Sequence, residues 1–190
     1  MTEVGERPVI HGQRIIRWWM LYAIVYGGSV VLAALLHDAG AVALLGFAVT
    51  IPSIGLLAAI DTTTRQLPRA ISYLAFLVAL PLLSIDPRAG GDGRWSSAQG
   101  ALIMLGATAT IHLLGRGALG RGDVHFSPLL GAVAGWFGLR FVVATWLTAS
   151  ILGGFTALVI IVHKHDRTAR FAYGPLLVLG LCAALLTVVR

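Results

Sequence analysis

The chain has 190 residues, of which 57% are hydrophobic and only 12% charged, more apolar surface than a single soluble core of this length could enclose. The apolar residues come in continuous runs without polar alternation, which excludes an outer-membrane barrel as well as a soluble domain. The net charge of +6 is dispersed in short clusters between those runs, a membrane-topology pattern and not a nucleic-acid surface.

In chain order, residues 1–14 form a polar, cytoplasmic tail, and apolar runs follow over 15–36, 41–60, 70–85, 98–115, 124–138, 139–162 and 174–189. Most approach or exceed the roughly 20 residues needed to cross about 30 Å of hydrocarbon. The fifth is short and glycine-rich, so a tilted or incomplete crossing is expected there. Arg14 and Arg17 precede the first run as they would in a signal peptide, but its length and the lack of a small-x-small cleavage site favour a retained helix. The expected fold class is all-α, a polytopic transmembrane helical bundle of about seven spans. The lone cysteine, Cys182, lies within the last run and allows neither an intrachain disulfide nor a zinc-binding cysteine pair.

Charge then orients the bundle. With the N-terminus inside, ten basic residues (Arg7, Arg14, Arg17, Arg65, Arg69, Arg116, Arg121, Lys164, Arg167 and Arg170) fall on the cytoplasmic side and four (Arg88, Arg94, Arg140 and Arg190) on the other. Of the eight acids, Glu3 and Glu6 fall in the tail, Asp38, Asp86 and Asp92 in outer loops, and Asp166 in the last inner loop. Only Asp61 and Asp123 abut a span on the inner side. A carboxylate beside hydrocarbon is costly, so function is the default reading and a partner is sought. Two carboxylates held together share one proton, one acting as base and the other as acid. Such a dyad activates water against a peptide carbonyl without a metal or other cofactor. Gly120 and Gly122, flanking the second aspartate, would admit a closely approaching chain.

Three segments carry a resemblance. Asp61 followed by Leu67-Pro68, the string Gly120-Arg121-Gly122-Asp123, and the late Phe171-Ala172-Tyr173-Gly174-Pro175-Leu176 together resemble the type IV prepilin peptidases, aspartic proteases of the GxGD type. The resemblance covers residues 41–190 as a six-helix peptidase core, with residues 15–36 as an extra N-terminal helix. It implies catalytic roles for Asp61 and Asp123. It also implies motif or substrate-access roles for Gly120, Gly122, Pro68, Gly174 and Pro175. The implied reaction is cleavage of the basic leader of prepilin-like precursors at the cytoplasmic face of a bacterial inner membrane. Prepilin-like precursors and membrane lipid are then the expected partners, with no nucleic acid. Larger members carry a cytoplasmic insertion with paired cysteines and an N-methyltransferase activity; lacking both features, this chain is expected to be a peptidase-only form. Two positions depart from the family pattern: Arg69 stands where asparagine is common, and His125 where lysine is common.

Simpler readings exist for individual residues. Asp123 as a helix N-cap and Asp61 paired with Arg65 one turn on would each be structural. His163, His165 and Asp166 are better explained by an inner loop than by a metal site, and His112 by a hydrogen bond to a neighbouring helix. Gly131 and Gly135 have the spacing of close helix packing. No H-E-x-x-H or G-x-S-x-G string competes. The alternative function is a non-catalytic membrane subunit, or a small proton or cation transporter using the same two aspartates.

Overall fold

The structure, a computed structural model, describes residues 7–36, 38–64, 67–86, 95–115, 119–164 and 172–187. Among the described residues there are seven helices and no strands: α1 (Arg7–Leu36), α2 (Ala41–Thr64), α3 (Arg69–Ile85), α4 (Ser96–Leu114), α5 (Arg121–Phe137), α6 (Leu139–Lys164) and α7 (Gly174–Leu186). Stretches of α1, α2, α4 and α6 are long and apolar enough to cross a membrane, and α3 and α7 are shorter apolar helices. Large side chains such as Ile24, Leu35, Leu74, Leu77, Ile151 and Phe155 are exposed. A belt of this kind suits lipid, not water.

The short fifth helix is the axis of the bundle. Twelve of its seventeen residues are buried, and it touches α2, α3, α4, α6 and α7. At about 1.5 Å per residue it spans roughly 25 Å, which a helix enclosed along most of its length by five neighbours tolerates. Against α4 the backbones approach so closely that a methyl group on Gly100 would strike the carbonyl of Gly131, and one on Gly135 would strike that of Ser96. The expected glycine packing is therefore observed, with α4 as its partner. Trp136 is fully buried, edge-on to Phe47 at 5.1 Å and to Phe137 at 4.8 Å, so this tryptophan belongs to the core and not to an interfacial belt. The reversal into α6 takes a single residue, Gly138, whose φ of 128° is strained for any L side chain.

The first helix joins the same hydrophobic core through Tyr26, Val30, Ala33 and Ala34 and lies against α2 and α7. Trp19 donates its indole N–H to the Pro52 carbonyl at 3.3 Å, and the hydroxyls of Tyr22 and Thr62 are 3.1 Å apart. At the opposite end of the bundle Asp86, expected in a loop, is buried where α3 stops. It accepts the Gly40 N–H at 3.1 Å and so caps the start of α2 from the neighbouring helix.

Candidate active site

Successive helices run in alternating directions, so the C-terminal end of α2 and the N-terminal ends of α3, α5 and α7 share one end of the bundle. The sequence-predicted residues gather there. Asp61 lies within α2 and not after it, because the helix continues to Thr64. Three threonines of this last turn direct their hydroxyls back along the helix: Thr62 donates to the Ala58 carbonyl at 2.7 Å, Thr63 to Ala59 at 2.9 Å and Thr64 to Ile60 at 2.8 Å. Arg65, the proposed structural partner of Asp61, lies outside the described residues, as do His165 and Asp166 of the polar cluster and Phe171 of the late motif.

Asp123 is the third residue of α5, whose N-cap is Gly120. Asp123 is therefore not the N-cap itself: its own N–H donates to the Gly120 carbonyl at 3.1 Å, and its carboxylate lies against Gly120. The backbone of Gly120 is ordinary, with φ −62°. What demands glycine is proximity, since a Cβ there would sit 2.8 Å from Asp123 Oδ2. Gly122 is explained in the same way by Leu67, whose Cβ lies 2.9 Å from where a methyl would be. Pro68 is the N-cap of α3 and fixes the turn that delivers Leu67. Leu67-Pro68 and the glycine motif, with Leu67 fifty-five residues before Gly122 in sequence, are thus one packing unit.

The seventh helix completes the arrangement. Pro175 occupies its first turn, where a missing N–H costs nothing. Gly174 is its first residue, and its N–H donates to Asp61 Oδ2 at 3.0 Å. The Asp61 charge bears directly on Asp123. Two acids from helices two and five therefore meet beside the N-terminus of a third helix, where partial positive charge favours anions, and one of them is bonded to its first amide. Both are nearly enclosed, with 5% of Asp61 and 6% of Asp123 exposed. Asp123 Oδ1 has no hydrogen-bond partner in the protein.

Two further features were not readable from the sequence. The departures Arg69 and His125 come together around Tyr73: its hydroxyl is 2.7 Å from His125 Nδ1, and the Arg69 charge acts on that histidine from one turn earlier in α3. Among the described residues His112 bonds to a loop carbonyl and not to a neighbouring helix. Its Nδ1–H donates to the Leu119 carbonyl at 2.6 Å, tying down the segment that enters Gly120. No group of three or more potential metal ligands occurs among the described residues.

A helical membrane bundle with two buried carboxylates drawn to one end by a third helix is a class in which acid chemistry can be sheltered from bulk water. A model of the type IV leader peptidase family matches residues 48–161, and the chain belongs to that family. The match includes Asp61, Pro68 and Gly120 to Asp123; Gly174 and Pro175 lie beyond it. No curated protein and no solved structure matches the chain.

Proposed function

We propose that this family member is an aspartic endopeptidase whose catalytic pair is Asp61 and Asp123, cutting the basic leader from prepilin-like precursors at the cytoplasmic face of the membrane. The observation that supports the reading is that two buried carboxylates lie side by side at the start of α7, Asp61 bonded to the Gly174 amide and Asp123 close enough to feel the Asp61 charge. Like charges so placed do not both ionise readily, so the pair holds one proton between them. The ionised member takes a proton from water as the water oxygen attacks the scissile carbonyl. The protonated member then supplies the leaving amine with its proton, and the carbon–nitrogen bond breaks. Gly174 holds Asp61 through this cycle.

The cytoplasmic placement rests on the ten-to-four excess of basic residues at the end that carries the pair. A helical substrate conceals its backbone, so cleavage requires a target that is extended or unwound near the membrane surface. The test uses purified protein in detergent with a chelator and a leader-bearing peptide. Wild type is expected to make a single cut, and Asp61→Asn and Asp123→Asn each to reduce turnover by at least about 10³-fold while remaining folded. Full activity in either variant would remove that residue from the chemistry. Intact peptide with folded wild type would favour the transport reading.

A further inference from the structure

The amide of Gly174 has to be aimed, and the residue before it is seated in a notch on α6. An ideal Cβ built on Gly153 would lie 2.6 Å from Tyr173 Cε2 and 3.2 Å from Cδ2, so the ring rests on bare backbone. The phenol end of the ring lies near Ser150, three residues earlier on α6, without a hydrogen bond to its hydroxyl. Lower on the same interface, Gly180 of α7 abuts the Thr145 carbonyl and the Ala149 N–H, which would be 2.6 Å and 3.0 Å from a Cβ. The seventh helix is thus clamped to the sixth at two levels. The upper clamp is the residue immediately ahead of the N–H that bonds Asp61.

We infer that Gly153 and Tyr173 are positioning residues, a notch and a wedge that set the Gly174 N–H on Asp61 and so fix the geometry of the acid pair. The functional half of this inference rests on the proposed dyad; the structural half does not. Carbon atoms pack at about 3.5–4.0 Å, so a methyl group at 153 displaces the ring by roughly 1 Å. A shift of that size at a reacting centre is enough to cost about 10²-fold in rate. The adjacent Gly154 supplies an internal control, because a methyl there meets nothing within 4 Å.

Two readouts test the inference on the full-length protein. In steady-state cleavage of a leader peptide, Gly153→Ala should lower kcat at least about tenfold with KM within about twofold. Gly154→Ala should match wild type. Adding Tyr173→Leu to Gly153→Ala, which returns the lost volume, should recover part of kcat. In amide hydrogen exchange, Gly174 should be protected in wild type and in Gly154→Ala, and exchange faster in Gly153→Ala. Equal behaviour of the two alanine variants in exchange overturns the inference, whatever the peptide does. So does a kcat loss that merely follows lost thermal stability, or a double variant no better than the single. If no form of the protein cuts peptide but Gly153→Ala alone releases the Gly174 amide, the dyad chemistry fails and the notch stands.

Discussion

A methyl group on Gly174 would lie 2.8 Å from Asp61 Oδ2 and 3.4 Å from its Cγ, inside the contact distance of any carbon and oxygen pair. Gly174→Ala should therefore push the carboxylate off the amide, lowering kcat/KM at least about tenfold in protein that still purifies folded; peptide cleavage measures it, and wild-type kcat/KM would show that the amide does not hold Asp61. The departures Arg69 and His125 make a second case at this scale. Because both act around Tyr73, Arg69→Asn and His125→Lys should not add. A coupling of at least about 0.5 kcal/mol in kcat/KM is expected from the double-mutant cycle, against about 0.3 kcal/mol or less for independent sites. The sequence shows these positions only as separate oddities, fifty-six residues apart. Their proximity depends on the register between α3 and α5, which no local pattern encodes. Asp61 and Asp123, by contrast, were legible because acids beside apolar runs are rare enough to be noticed singly.

At the scale of elements, the bond from Gly40 to Asp86 shows how α2 is started by a residue of α3. Asp86→Ala removes a cap and should cost about 1 kcal/mol in denaturant unfolding in detergent, with cleavage activity retained because the cap is at the far end from the acid pair; an unchanged midpoint would mean that the bond contributes nothing. The helices themselves were readable from the apolar runs, and their positions agree with the structure to within about four residues except at the first, where α1 begins at Arg7, inside the stretch read as a tail. Their polar ends were not. The second helix continues past its apolar run through Thr62, Thr63 and Thr64, whose hydroxyls bond back to carbonyls of the preceding turn, and the fifth begins before its run, at Arg121. In both cases the helix extends just far enough to hold an aspartate, where a boundary drawn from hydropathy would leave it in a loop.

Across the whole molecule, the central helix is also the shortest of those that bear an acid, and it carries the fewest lipid-facing groups. This follows from its enclosure: α5 is packed by glycine against α4, ends at the Gly138 reversal, and presents Asp123 to α2 and α7 at the shared end. Composition announced a membrane bundle, and the motifs announced a peptidase family. How three distant segments are brought to one end of the bundle was not visible in either, since it is a property of the packed helices and not of any segment. The most direct test is an NMR titration of the aspartate carboxyl carbons in detergent-solubilised protein, comparing wild type with Asp61→Asn. If the two acids meet as described, the titration midpoint of Asp123 moves by more than about one pH unit when Asp61 is neutralised. A midpoint unaffected by that substitution would mean that the carboxylates do not share a site, and would contradict the account.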